Sequence, residues 1–469
     1  MNREQVRAAL YERYIAPTET KTDNYIGIEI EMPIINTEGQ ATDFDVAKGI
    51  TEEFRVKHGF EPVSKDFEGN CYAAIDSVTG DNLSYDCSYN NLEISFGMEK
   101  SLSPINGRFT QYITELNDEF RKREHVITGM GVNPGRKNNN KEYLPSPRYQ
   151  MLEGYLKRCR DWDEQMYFHP YPDFATYACA SQVQLDVTKD KLIPTIQAFT
   201  LLEPVKSRLF ANAWMDSEPD NLIVRDMFWE NSTHGINPHN IGMYKQIPED
   251  LDELLEYISR TSLFCTERDG HYLHFKPIPV IEYFEREYIE GEYYENGVYY
   301  PYTFTPEDSD LKYLRTYKFE DLTFRGTIEY RSGCCQPFSE AMTVAAFHVG
   351  LQDKVEELAE LLKNDKVLYH HGYTPGELRK MMNRRELPGF VDEAQLKKLI
   401  MNILDIAESG LKKRGYGEEK YLAPLYKRAE YLKSPALRMV EGLQDGHKME
   451  EYIEEYASLS EVIDYSRVV

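Results

Sequence analysis

The sequence predicts an α+β protein, built on a curved, mostly antiparallel sheet with helices on its outer face. Strand-like alternation of apolar and polar residues occurs at 25–32, 91–96, 178–187 and 323–331, with a weaker instance at 126–131. Helical periodicity is interleaved with it, at 2–14, 43–59, 104–124, 191–214 and 249–265. Beyond about residue 340 only helical patterns remain, at 338–363, 375–385, 392–414 and 420–458. Strands mixed with helices, followed by a helical run, predict a body over 1–340 and a helical C-terminal region over 341–469 packed on the same domain. The change near 340 reads as a change of packing rather than a true domain boundary.

The chain opens on MNREQVRAALYERY, which alternates charged and apolar residues like an amphipathic helix and has no signal-peptide core. Segment 132–147 (VNPGRKNNNKEYLPSP) is a polar, Pro-containing loop. At 286–303, Tyr-rich arms flank Glu295-Asn296-Gly297, and Asn-Gly suits the tight primed turn of a β-hairpin. No internal repeat or low-complexity linker interrupts the pattern.

Composition removes several classes of function. The 469 residues allow about three domains of ordinary size, or fewer large ones. Lys+Arg 54 against Asp+Glu 79 gives 54 − 79 = −25 at pH 7, which argues against nucleic acid as a main partner. No run approaches the length of an apolar membrane span. Seven cysteines at 71, 87, 159, 179, 265, 334 and 335 form no CxxC pair, which disfavours a disulfide framework or a zinc site. Free thiols in a reducing cytoplasm are expected, in a protein that is a monomer or homodimer.

The strands carry the chemistry. Alternate side chains of a strand share a face. In Gly27-Ile28-Glu29-Ile30-Glu31-Met32, Glu29 and Glu31 therefore share one face with Gly27, whose missing side chain leaves room for a bulky neighbour. The layout recurs in Leu92-Glu93-Ile94-Ser95-Phe96, in Gln182-Val183-Gln184-Leu185-Asp186-Val187, and in Thr327-Ile328-Glu329-Tyr330-Arg331. Four such strands describe one sheet, apolar toward helices and polar toward a cavity. Carboxylates converging there would repel one another, and Mg²⁺ or Mn²⁺, which prefer carboxylate and amide oxygens, would relieve the repulsion. The same pattern also fits an open, solvated sheet whose carboxylates never meet.

No Walker A sequence and no GxGxxG-type loop follows a strand, so those phosphate grips are disfavoured. A nucleotide would have to be held by metals on carboxylates together with Arg and Lys. Carboxylate–amine ligases of the glutamine synthetase type work in this way, with metals on a curved sheet carrying ATP.

From here the sequence resembles the glutamate–cysteine ligase family over roughly residues 25–350, and more closely its plant and proteobacterial branch. YIGIEIEM resembles the family's opening metal-binding strand, and Asp86 and Glu93 in DCSYNNLEIS resemble the next acidic strand. ACASQVQLDV followed by PVKSRLFANAWMD, then NLIVRDMFW and GTIEYRSGCCQPF, resemble later family segments in the same order. The resemblance implies that Glu29, Glu31, Asp86, Glu93, Gln182 and Glu329 hold Mg²⁺ or Mn²⁺, that Arg225 binds a carboxylate of glutamate, and that Arg331 faces the transferring phosphoryl group. Guanidinium suits both tasks because its planar fork pairs two oxygens at once, although a structural ion pair is the alternative for either arginine. Gln182 stands where one bacterial branch has His. Gly333-Cys334-Cys335 replaces different residues near the acceptor, and the hairpin at 286–303 aligns with none of those family segments.

The activity implied is ATP-dependent ligation of the γ-carboxylate of L-glutamate to the amine of L-cysteine through γ-glutamyl phosphate, the first step of glutathione biosynthesis. A γ-glutamyl ligase for another amine, and a non-catalytic ligand-binding relative, are the alternatives. Cys334 and Cys335 are expected at the strand exit near the pocket rim, with no nucleophilic role, because ATP already activates the carboxylate.

Overall fold

The computed structural model describes residues 1–22 and 24–466. Along the chain run β1 (Ile26–Asn36), β2 (Glu61–Lys65), β3 (Cys71–Ile75), β4 (Asn82–Tyr85), β5 (Asn91–Glu99), β6 (His125–Ile127) and β7 (Ser181–Asp186). They are followed by β8 (Ile241–Gly242), β9 (Ser262–Arg268), β10 (His271–Pro279), β11 (Ile289–Glu295) and β12 (Val298–Phe304). The last three are β13 (Tyr317–Lys318), β14 (Glu320–Leu322) and β15 (Thr327–Tyr330). Nine of these form the main sheet in the order β14-β15-β7-β1-β5-β4-β3-β2, with β6 paired to the far end of β1. Every pairing in it is antiparallel. The fold is α+β, as the alternation predicts.

One face of this sheet is dry. Ile28, Ile30, Met32, Leu92, Ile94, Phe96, Val183, Leu185, Ile328 and Tyr330 are all buried. Helices cover them: Phe96 meets Phe109 of helix Leu102–Arg121 at a ring separation of 6.3 Å, and Tyr330 meets Phe199 of helix Lys189–Phe210 at 4.6 Å. His348 of helix Thr343–Asp353 packs 4.4 Å from the Tyr330 ring, so the C-terminal helices join the same core. From Thr343 to Ala457 the regular elements are all helical. Two of them cross in backbone contact: a Cβ added at Gly350 would lie 2.2 Å from the Ala407 carbonyl oxygen, and one at Gly410 would lie 2.1 Å from that of Gly350.

Three helical expectations need correction. The pattern at 249–265 stops at Ser259, and residues 262–279 form the β9–β10 hairpin instead. Its turn is Asp269-Gly270, both in the left-handed region, a hairpin signal equivalent to Asn296-Gly297 between β11 and β12. The pattern at 420–458 is divided into Ala423–Tyr431, Pro435–Gln444 and Met449–Ala457, because Leu432 is left-handed and Pro435 opens a new helix behind a Ser434 cap. The pattern at 338–363 breaks at Lys354 between Thr343–Asp353 and Val355–Asn364. Strands β2, β3 and β4 are not among the expected ones: β2 and β3 are mostly exposed or half-buried without alternation, and β4 alternates but spans only four residues. Among the described residues no helix is long and apolar enough to cross a membrane.

Candidate active site

The polar face of the sheet floors a cleft of about 670 Å³. Strand register assembles it. Glu29 on β1 pairs with Ser95 on β5 and Gln182 on β7, while Glu31 pairs with Glu93, which itself pairs with Ser84 on β4. On the other side Gln184 of β7 pairs with Glu329 of β15, and Glu329 with Asp321 of β14. All of these residues line the cleft. Because the side-chain period is two, one register shift in any strand would turn its polar set into the core.

Carboxylate oxygens of Glu29, Glu31 and Glu93 lie within 4.8 Å of one another. The Gln182 amide bridges two of them, its Nε2 donating to Glu29 Oε1 at 2.6 Å and to Glu31 Oε1 at 2.9 Å. The backbone N–H of Ala180 donates to Glu31 Oε2 at 2.6 Å. Ser95 and Ser84 donate to Glu93 Oε1 at 3.0 and 3.2 Å. Burial and neighbouring carboxylates work against ionisation here: Glu29 is pushed well up, Glu31 to about 8 and Glu93 to about 7, with Asp86 the main charged contributor for the last two. Burial raises Asp86 as well.

The remaining sequence candidates are distributed differently. Asp86 is not on an acidic strand but in the turn between β4 and β5, where it lines the cleft and accepts from the Cys87 thiol at 3.3 Å. Glu329 lies outside the carboxylate trio. It accepts from Gln184 Nε2 at 2.7 Å and from Arg331 Nη1 at 2.7 Å. Arg331 opens into the cleft with its guanidinium over Tyr317 at 5.7 Å, and Tyr317 stacks on Trp229 at 4.7 Å. Arg225 is the second residue of the short helix Val224–Glu230 and is 7% exposed. Its Nη1 donates to the Gly333 carbonyl at 3.1 Å, while its buried Nε has no partner.

Two expectations fail at this level. Cys334 and Cys335 are completely buried and do not line the cleft, because the segment after Arg331 turns inward and bridges Ala180 rather than following the rim. Gly27 is not a cleft residue either: it pairs with Gln184, and a Cβ there would make ordinary contact at 3.5 Å. The Tyr-rich hairpin forms as β11 and β12 in a separate four-stranded sheet and contributes nothing to the cleft lining.

Several lining residues carry no sequence signal. Arg13, Arg148, Arg315 and Arg325 reach the same cleft from the N-terminal helical segment, the start of helix Pro147–Lys157 and the loops around β13–β14. With Arg225 and Arg331 they place six guanidiniums around one cleft in a strongly acidic chain. Isolated arginines in loops look alike in sequence; only the tertiary structure collects them.

A carboxylate cluster and six arginines lining one cleft can take a cation and an anion together. The family model for glutamate–cysteine ligase family 2 (GCS2) matches residues 47–456. The chain belongs to this family. The matched span begins after β1, so Glu29 and Glu31 lie just outside it. Among its relatives, the chloroplastic glutamate–cysteine ligase of Brassica juncea is 21% identical over 308 residues, covering 63% of this chain and 54% of the relative. That of Arabidopsis thaliana is 20% identical over 308 residues, covering 63% and 53%. The chain thus spans about half the length of the curated relatives it matches. The crystal structure of a Francisella tularensis glutamate–cysteine ligase in complex with AMP aligns with a TM-score of 0.48 at 12% identity, over 94% of this chain and 88% of that one.

Proposed function

We propose that the protein ligates the γ-carboxylate of L-glutamate to the amine of L-cysteine at the expense of ATP, as the first step of glutathione synthesis. The observation that carries this reading is the single cleft in which the Glu29–Glu31–Glu93 cluster faces Arg225 and Arg331. Membership of GCS2 supports the reaction class.

A divalent cation, Mg²⁺ or Mn²⁺, fits the donor set. Three carboxylates lie within one ion's reach, their ionisation is suppressed by burial and mutual repulsion, and Gln182 Oε1 is buried without a partner. Glu29, Glu31, Glu93 and Gln182 would hold it, with Asp86 and Glu329 supporting further cation binding at either end of the cluster. Such an ion supplies charge neutralisation to the carboxylates and to a polyphosphate.

The chain's own residues do the rest. Arg225, held by Gly333 and lining the cleft, receives a glutamate carboxylate. Arg331, oriented by Glu329, faces the phosphoryl group. The γ-carboxylate oxygen attacks the ATP γ-phosphorus and ADP leaves, giving γ-glutamyl phosphate. The cysteine amine then adds to the acyl carbon, loses its proton, and phosphate departs with the C–O bonding pair. Arg13, Arg148, Arg315 and Arg325 add positive charge to the cleft, which favours a polyphosphate there. Seven thiols, none in a disulfide, suit the cytoplasm.

The test is phosphate release from ATP with Mg²⁺ and glutamate, screened against a panel of amines that includes cysteine. Release that requires glutamate and is greatest with cysteine is expected. Release with another amine only would reassign the acceptor, and no ATP turnover under any condition would end the reading.

A further inference from the structure

Behind the cleft a single buried arginine ties the C-terminal helices to the residues beside Arg225 and Arg331. Arg379 lies on helix Pro375–Met382 and is 3% exposed. Its Nε and Nη2 donate to the two carboxylate oxygens of Asp226 at 2.8 and 3.0 Å, a bidentate fork. Its Nη1 donates to Glu203 Oε2 at 2.5 Å and to the Glu203 carbonyl at 3.2 Å. Glu203 also pairs with Lys206 and accepts from Ser332 Oγ at 2.9 Å. Asp226 follows Arg225 in the chain and Ser332 follows Arg331, and all four line the cleft.

The charge balance explains why the arginine is needed. Asp226 places a carboxylate in the wall of a cleft whose neighbouring Arg225 is suited to an anion. Left without a partner, that carboxylate would repel an anionic substrate and draw on the field of Arg225. The fork from Arg379 removes its charge from the cleft and fixes its orientation. The Arg379 guanidinium also lies over the ring of Phe319, another cleft residue, at 4.4 Å, which leaves it little freedom.

We infer that Arg379 is a positioning residue for substrate-carboxylate binding: anchored by Glu203, it holds Asp226 and with it the helix bearing Arg225, and it neutralises the carboxylate beside Arg225. This rests on the proposed assignment of a glutamate carboxylate to Arg225. The C-terminal helical region thereby becomes part of the substrate site without touching substrate.

The experiment is steady-state kinetics of the full chain with glutamate and ATP varied separately. Arg379→Met, Arg379→Lys and the double variant Arg379→Met/Asp226→Asn are compared, each with a melting curve. Arg379→Met is expected to raise the KM for glutamate roughly tenfold or more while the KM for ATP changes less than about twofold, the loss of one charge pairing. The double variant recovers most of that loss, because a neutral Asn no longer opposes the anion. Arg379→Lys keeps the charge but not the fork, folds even where Met does not, and shows the same split at smaller size. Equal rises in both KM values, or a double variant no better than the single one, would reduce Arg379 to a structural tie and overturn the inference. Failure of the underlying reading looks different: wild-type protein would show no glutamate-dependent phosphate release at all.

Discussion

Glu31 and Glu93 stand directly opposite each other on adjacent antiparallel strands, with both side chains in the cleft. Like charges in that position destabilise a sheet, and here burial adds to the cost. On the proposed reading, the arrangement carries an electrostatic penalty that a bound cation would remove. Glu31 goes from an ordinary 4.5 to about 8 on folding, so the stability it contributes is fully present below pH 4.5 and is lost as the pH rises through 8. Metal-free protein should therefore melt at a lower temperature at pH 8.5 than at pH 6, and Mg²⁺ should raise the melting temperature more at pH 8.5. Scanning fluorimetry with EDTA or Mg²⁺ measures both. An Mg²⁺ increment independent of pH would show that these carboxylates do not receive the ion.

Substituting Glu29→Gln or Glu31→Gln removes a charge without removing volume. Metal-free variants should be at least as stable as wild type, since one repulsive partner is gone. Ligation should fall by about 10²-fold or more, the usual scale for losing a preorganised electrostatic contact. Turnover at the wild-type rate in ordinary Mg²⁺ would mean that the pair is a solvated strand edge and nothing more.

Arg225→Ala leaves a hole where a 7% exposed guanidinium met the Gly333 carbonyl. The expected result is a KM for glutamate raised roughly 10²-fold, with the KM for ATP changed far less, because charge-assisted bidentate contacts are the strong ones. Initial-rate kinetics with each substrate varied decide it; equal effects would move Arg225 out of the glutamate pocket.

Cys334 and Cys335 have no access to substrate, and burial raises both thiols above their ordinary range. Changing both to Ser buries two hydroxyls in a packed core, at a cost on the order of 1–3 kcal/mol each where no hydrogen bond compensates. The double variant should melt earlier while the KM values for glutamate and ATP stay near wild type. Trapping a glutamyl thioester on either cysteine would contradict both the burial and the acyl-phosphate route.

Gly350→Ala tests the crossing of helices Thr343–Asp353 and Glu393–Arg414. The new methyl would collide with the Ala407 carbonyl, and overpacking of this kind costs about 1–3 kcal/mol. Loss of melting temperature with intact KM values is expected from urea or thermal unfolding paired with kinetics.

Alternation alone marked five polar residues of the sheet floor. Glu29, Glu31, Glu93, Gln182 and Glu329 each lie two residues from another polar position on a strand whose other face is apolar, and that period survives folding because one face must be buried. The Asn296-Gly297 hairpin was legible for the same local reason. Register, in contrast, depends on strands distant in sequence: nothing in YIGIEIEM states that Glu31 meets Glu93 while Glu329 lies apart and pairs with Arg331. The arginine wall, the inward turn of Cys334-Cys335 and the grip of Arg379 on Asp226 were also decided only in three dimensions. Those contacts join segments far apart along the chain, where charge pairing and burial, not local periodicity, set the geometry.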